Sequence, residues 1–338
     1  MNSQKVQTIP AKLPGGWKPM SLNPLISIIV LNWNGEKIFP ACLESLARVE
    51  YRPIEVLFVD NGSTDESLRR AHDFQGIRII DNKANLGYTA GNNRAMQFIS
   101  SDSKYVCFLN NDVVVSPSWL NEAVRHLERD FRVGVIACRN MNYFNRELVD
   151  GLYHFIRKPF ISLRRFGHGL PYLDDPLYNK PGYVASALGA SAIYRTALFK
   201  SLGGFDETFF SYYEESDLCM RINNSGNRIL YVPEALVFHK DRAQLPRHNS
   251  FYYSERNKFY FIRKNYPPSF IAKNMIGIIS EELWLIITCL RGKHNLATFL
   301  KARMDSLRAL RKYAYTGNTD TFDRSFIAEL MEKKKIAL

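Results

Sequence analysis

Cysteine is scarce in this 338-residue chain and follows no pattern. Cys42, Cys107, Cys138, Cys219 and Cys289 lie far apart, and no C-x-x-C pair occurs. That excludes a zinc ribbon, a thioredoxin-like redox site and a secreted disulfide scaffold, so a reduced, cytoplasmic chain is expected. Long apolar runs are missing too. The first 23 residues carry Pro10, Pro14, Pro19 and the Gly15–Gly16 pair but no signal-peptide core, and they read as a flexible arm. Residues 271–290 come nearest to a membrane span, yet Lys273, Asn274, Glu281 and Glu282 interrupt them. A spanning helix needs about 20 predominantly apolar residues, so a helix that does not cross is expected there. Neither the G-x-G-x-x-G dinucleotide fingerprint nor the G-x-x-x-x-G-K-[ST] phosphate loop occurs. No helix-turn-helix, zinc-finger or RNP-like pattern points to nucleic acid as a partner.

Apolar residues, at 46 %, and aromatics, at 13 %, suffice for a sizeable core and exclude a largely disordered protein. The 45 Lys and Arg outnumber the 33 Asp and Glu, for a net charge of +12. The charge is unevenly placed: residues 241–338 hold 18 basic and 9 acidic side chains, so +9 of the +12 lies there. This region is helix-patterned at 271–290 and 296–313 and ends in Lys333–Lys334–Lys335. Basic helices beside an apolar face suit an anionic membrane surface, and they equally suit a plain solvated surface. Charge alone does not separate the two.

Residues 25–31 (LISIIVL) have the aliphatic, β-branched character of a strand buried on both faces. A helix is expected around 38–48, with Leu43 and Leu46 on one face, then a strand at 54–59. Ser63 and Glu66 have capping-box spacing, which predicts a helix opening at Ser63. Further strands are expected at 77–80, 105–109 and 229–232, and a helix near 91–100. Alternating strands and helices predict an α/β fold with a doubly wound, mainly parallel sheet. Trp33, Asp60, Asn85 and Asp112 then all fall just beyond carboxyl ends of strands, where open α/β sheets bind ligands.

The ordered set IVLNWNG, VDNGSTD, NLGYTAGNNR, FLNNDV, GGFDETFF, YEESDLCMR and VFHK resembles the inverting family-2 glycosyltransferases of the GT-A fold, most of all their bacterial rhamnosyltransferase branch. The likeness covers about residues 24–266. It implies a GT-A domain over 24–240, followed by a helical, basic region over 241–338. It also implies a nucleotide-sugar donor, with dTDP-rhamnose suggested, and a glycan or lipid-linked saccharide as acceptor.

Residue by residue, Trp33 offers an aromatic face on which a nucleobase could stack, or else a core Trp; Asn32 precedes it. The resemblance assigns Asp60 to the imide N–H of uracil or thymine. It sets Asn85, Gly87 and Asn93 beside the donor phosphates, where a turn and helix packing would explain them as well. Asn111 and Asp112 stand at the D-x-D-type position that holds a divalent cation, Mg²⁺ or Mn²⁺, against the diphosphate. His239 matches a position that can add a second metal ligand, or is an ordinary strand-end histidine.

In Glu214–Glu215–Ser216–Asp217 the resemblance places the catalytic base, with Glu215 taking that role and Asp217 the last acidic position of the pattern. Clustered carboxylates raise one another's pKa, which favours a base. Gly204 and Asp206, with Glu214, resemble the acceptor side. Residues 153–180 read as a loop in which Arg157, Lys158, Arg164 and Arg165 alternate with Phe155, Phe160 and Phe166, suited to an acceptor diphosphate, lipid headgroups or solvent. Two rivals remain at this level. A nucleotidyltransferase would show a glycine-rich, Arg/Lys-bearing signature after the first strand, which Asn32–Trp33–Asn34–Gly35 lacks. A basic, non-catalytic membrane or nucleic-acid binding protein would not need Asp112, Glu215 and His239 together.

Overall fold

The first apolar run forms β1 (Ile26–Asn32), and six of its seven residues are buried, as a strand covered on both faces requires. The computed structural model describes residues 23–156, 162–172, 175–240 and 247–310. The expected arm up to residue 22, Arg157, Lys158, Phe160 and the triplet Lys333–Lys334–Lys335 lie outside those residues.

After β1 the chain alternates through α1 (Pro40–Ala47), β2 (Ile54–Asp60), α2 (Ser67–Ala71), β3 (Ile77–Asp81), α3 (Gly87–Ala95) and β4 (Tyr105–Asn110). β5 (Val113–Val115), α4 (Trp119–Arg129), β6 (Val133–Asn142) and β7 (Val149–Gly151) follow, then the hairpin strands β8 (His154–Ile156) and β9 (Leu163–Arg165). Next come α5 (Pro176–Asn179), β10 (Gly182–Val184), β11 (Ser191–Arg195) and α6 (Thr196–Ser201). A 3₁₀ turn at Glu207–Phe209, α7 (Glu214–Asn224) and the long β12 (Arg228–His239) finish the sheet. Four helices end the described chain: α8 (Arg247–Asn265), α9 (Pro268–Lys273), α10 (Met275–Leu290) and α11 (Leu296–Leu310).

The main sheet runs β10-β12-β6-β11-β4-β1-β2-β3. β1 lies parallel between β2 and β4, and β3 adds in parallel to β2. Chain progression therefore reverses between β1 and β4, and a crevice opens at their carboxyl ends. The expected mixed α/β fold with a central parallel sheet is what the chain adopts. One face buries Ile26, Ile28 and Phe58 against α1 and Trp119 of α4; the other buries Ile29, Leu57 and Phe108 against Phe199 and Leu218. Trp119, fully buried, is the core tryptophan on this side of the sheet, whereas Trp33 stays partly exposed.

Several elements depart from expectation, each for a tertiary reason. Ser63 does not cap a helix. Its hydroxyl accepts from Asn34 N–H at 2.9 Å, and α2 waits until Ser67, whose N–H is taken by Asp65. α3 begins at Gly87, four residues early, because Phe210 O accepts the Tyr88 and Thr89 N–H groups that a helix start leaves unpaired. β12 runs on past Val232 to His239, since a register shift against β6 between Val232 and Leu236 absorbs Pro233. The expected loop at 153–180 contains the β8–β9 hairpin, whose three-residue strands are too short to show a period. The apolar stretch at 271–290 is two helices, α9 and α10, divided at Asn274.

Candidate functional site

At the carboxyl ends of β1 and β4 the sheet holds a cavity of about 330 Å³. Asn111 Nδ2 donates to Asn32 Oδ1 at 2.6 Å and ties the two strand ends together. Of the residues expected to contact the nucleotide sugar, Trp33, Asn85, Gly87, Asn111 and Asp112 line this cavity. Asn32 and Asp60 do not. Asp60 is 1 % exposed, and its oxygens accept from Ser63 N–H at 2.9 Å and, distantly, from Asn32 Nδ2 at 3.4 Å. It closes the turn that was expected to be served by Ser63, and its neighbour Asn61 faces the cavity instead. Asn93 also stays outside. Its amide binds both backbone groups of Phe205, at 2.8 and 3.0 Å, and so clamps the Gly203–Gly204 turn onto α3. Gly87, at φ +79°, has a packing reason as well: a Cβ there would meet the Phe210 ring at 2.5 Å.

Asp112 and His239 come together because β5 and β12 pair with His239 opposite Val113. His239 Nε2 lies 3.2 Å from Asp112 Oδ1, a charge contact outside hydrogen-bond geometry, for that oxygen is buried without a donor. On its other side, Nδ1 is 2.9 Å from Asp150 Oδ2. Burial alone would lower the His239 pKa, but the two flanking carboxylates outweigh it and raise it to about 10. Asp150 falls below the usual carboxylate range: burial opposes this, and its bond to His239 overcomes it.

The fit to a divalent cation follows from this geometry. Asp112 offers a buried oxygen with an unused lone pair, and Asp150 fixes His239 so that Nε2 can face a metal when deprotonated. Among the described residues no group of three His, Cys, Asp or Glu side chains forms a ready metal cage. Such a pair matches a cation that takes its other ligands from phosphate oxygens and water.

Across the cavity, α7 opens with its acidic cluster. Glu214 and Glu215 line the cavity, both buried, each with one oxygen lacking a hydrogen-bond partner. Burial and the adjacent Glu215 push the Glu214 carboxyl well above the ordinary range. Burial raises Glu215 too, but the α7 backbone N–H groups and Arg165 restrain that rise. Asp217, expected to join them, points elsewhere. It is fully buried and accepts from Arg221, Lys264 and Asn265 at 2.9 Å each, so it locks α7 to α8. Asp206 likewise caps the 3₁₀ turn at Thr208 and takes Lys264 at 2.7 Å, and Gly204, at φ +70°, closes the turn after α6; neither lines the cavity.

The approach to α7 is strained. Phe210, Tyr212 and Tyr213 have φ of 64°, 71° and 73°, where bulky residues rarely sit. What holds them comes from the C-terminal helices. The buried Asn257 of α8 donates to the carbonyls of Phe209, Ser211 and Tyr212 at 2.9, 2.8 and 2.7 Å, and Arg256 adds a bond to Phe209 O. Sequence reasoning gave these residues no role, since 48 positions separate Phe209 from Asn257. It missed Asp150 and His154 as well. His154 lies directly opposite Arg165 in the β8–β9 hairpin, and both line the cavity, His154 at 3.8 Å from Glu215. Arg165 is the one Lys or Arg among the lining residues described, and its stem lies over Gly151, where a Cβ would meet it at 2.5 Å. The aromatic–basic interleaving at 153–166 was the signal. Arg164, by contrast, turns to Glu281 at 2.7 Å.

Comparison with known proteins adds the lineage. The Glycosyl transferase family 2 profile matches residues 27–200. The O-antigen biosynthesis protein RfbC of Myxococcus xanthus is 30 % identical over 242 residues, which are 67 % of this chain and 18 % of that protein. An N-acetylglucosaminyl-diphospho-decaprenol L-rhamnosyltransferase of Mycobacterium tuberculosis is 25 % identical over 315 residues, 86 % of this chain and 97 % of its own. Among solved structures, S. aureus TarS 1–349 in complex with UDP superposes with a TM-score of 0.56 at 18 % identity, over 90 % of this chain and 83 % of that one. The mannosyltransferase PcManGT of Pyrobaculum calidifontis, solved with GDP-Man and Mn²⁺, gives 0.52 at 17 %, over 91 % and 80 %. The structures share the fold, the sequences share the lineage, and this chain is a member of glycosyl transferase family 2 built on the GT-A fold.

Proposed function

We propose that this protein transfers a sugar from a nucleoside-diphosphate donor to a saccharide acceptor by a single displacement that inverts the anomeric carbon. The observation that carries the reading is the opposition, across one cavity, of the Asp112–His239 pair and the raised carboxylates Glu214 and Glu215. Glu215 is the general base. Arg165 and the helix N–H groups restrain the rise of its carboxyl, whereas Glu214 is pushed further up, and this favours Glu215 as the proton acceptor. The acceptor hydroxyl gives its proton to Glu215, its oxygen bonds to the anomeric carbon, and the carbon–oxygen bond to the diphosphate breaks, its electron pair leaving with the diphosphate. Asp112 and His239 would hold Mg²⁺ or Mn²⁺, which when bound neutralises charge growing on the departing diphosphate. Trp33 supplies the face for the nucleobase, and Asn85 and Asn111 supply uncharged amides along the cavity. Arg165, with His154 opposite, supplies positive charge toward the acceptor side.

One relative's name favours a rhamnose donor and an acceptor saccharide linked to a lipid through diphosphate, and the motif resemblance suggests dTDP as the nucleotide carrier. An acceptor of that kind would place the enzyme peripherally at the cytoplasmic face of a membrane. The test is incubation with dTDP-rhamnose, UDP-GlcNAc and GDP-mannose in turn, with Mg²⁺ or Mn²⁺, following nucleoside-diphosphate release and thermal stabilisation. Stabilisation and slow hydrolysis with one donor are expected. Silence toward every sugar nucleotide would overturn the reading.

A further inference from the structure

The helix that the sequence marks as interrupted is not interrupted on its outer side. Glu281 turns inward to Ser162 and Arg164, and Glu282 to Lys258 and Arg303. The outward stripe of α10 is left without any charge: Ile276, Ile279, Leu283 and Leu290 recur at helical spacing, with Ile276 82 % and Leu290 70 % exposed, and Trp284 lies beside them. α11 adds a shorter stripe that includes Leu307. Of the 15 large apolar side chains exposed among the described residues, 11 lie on these two helices. So dense a cluster marks a contact surface rather than scattered surface hydrophobics.

The charge around it names the partner. From residue 268 to 308 the exposed cations include Lys273, Arg291 and Lys293, while Lys301 and Arg308 turn to Tyr252 and Asp305, and no carboxylate is exposed. In a symmetric contact with a second copy these cations would face one another, which is repulsive. An anionic lipid surface accepts both features at once: the apolar stripe enters the headgroup–acyl boundary, the cations meet phosphates, and tryptophan suits that depth. No helix among the described residues is long and apolar enough to cross a membrane, so the contact is one of lying on, not spanning.

We infer that the outer face of α10 and α11 is a docking surface for an anionic bilayer. This sharpens the peripheral placement proposed above, yet it stands on its own geometry. Because α8 carries both the Asn257 clamp on the cavity loop and the Lys258 bond to Glu282 of α10, the same scaffold would hold the cavity at a fixed distance from the lipid surface.

The experiment is flotation of the full chain with vesicles of phosphatidylcholine alone or of phosphatidylcholine mixed with phosphatidylglycerol, at low and high salt. Binding only to the anionic vesicles, weakened by salt, is expected, with a blue shift of tryptophan emission that Trp284→Phe removes. Ile276→Glu with Leu283→Glu, both exposed and away from the cavity, should lower binding by roughly tenfold or more while nucleoside-diphosphate release from the donor is retained. Lys273→Glu with Lys293→Glu should remove the salt dependence first. Absence of binding to any vesicle overturns the inference, as does a concentration-dependent dimer that buries Trp284. Loss of donor hydrolysis in the unaltered protein would instead count against the proposed reaction and leave the vesicle result standing.

Discussion

Replacing Asn257 tests whether the C-terminal helices are part of the catalytic machinery's support. The two N–H groups of one buried amide are shared among the carbonyls of Phe209, Ser211 and Tyr212, and Ser211 O and Tyr212 O depend on it most directly, since Phe209 O also has Arg256. Leaving a buried carbonyl without its donor costs about 1–3 kcal/mol, so with two such carbonyls Asn257→Ala should destabilise the protein by roughly 2–6 kcal/mol. At about 2 °C per kcal/mol for a chain of this size, Tm should fall by about 4–12 °C.

The effect on turnover should exceed what that loss explains at temperatures where the variant is still folded. The bonds hold three aromatic residues at positive φ, and each such residue stores about 1–3 kcal/mol of strain that relaxes once the clamp is gone. Relaxation would shift Tyr212, Tyr213 and the start of α7, and with it Glu215. Asn257→Asp is the sharper probe, because it is isosteric but sets acceptor oxygens against three carbonyls. It should be worse than Ala in both Tm and kcat. Differential scanning calorimetry and initial rates at 15 °C read the two quantities. An Asp variant at least as active and as stable as the Ala variant would refute the clamp.

Glu215→Gln should cut turnover by about 10²–10⁴-fold with donor affinity nearly unchanged, whereas Asp217→Asn should show itself chiefly as a fall in Tm; the reverse pattern would move the base to Asp217. Glu214 has a raised folded pKa, so its contribution to stability is complete below the unfolded carboxyl value of about 4.3 and is lost as pH rises through the folded value. Glu214→Gln mimics the protonated form, and its Tm should therefore hold above the wild type at alkaline pH; parallel Tm–pH curves would count against this. Asp112→Asn should abolish the thermal shift produced by Mn²⁺ and most transfer, and Asp150→Asn should weaken Mn²⁺ binding by roughly 10–100-fold through His239. Full transfer in excess chelator would remove the metal from the scheme.

The strands of the parallel sheet were legible in the sequence because a doubly covered strand must be largely apolar, and 25–31, 54–59 and 105–109 are, apart from Ser27 and Glu55, which bond each other. Their ends were legible too, since Asn32, Asp60 and Asn110 are polar residues that stop such runs. For the same reason the cavity's position could be foreseen. Local pattern failed wherever a distant group completed a local bond. Phe210 O starts α3, Asn257 holds the loop before α7, and the register shift past Pro233 brings His239 to Asp112.

Composition also placed the charge but not its direction. Glu281 and Glu282 were visible as interruptions of an apolar helix, and only packing against α8, β9 and α11 turned them inward and left the outer stripe bare. The acidic cluster shows the same division. Its four neighbouring positions mark a site in one dimension, but position along the helix and available partners separate them. Glu214 and Glu215, at the helix start, reach the cavity, while Asp217, a turn further in, is committed to Arg221, Lys264 and Asn265. Sequence alone determined which chemical groups were present and which strand ends would carry them. Which of those groups meet, and which are consumed in holding the others, was decided by contacts between elements far apart in the chain, because hydrogen bonds and charges are satisfied in space and not in order.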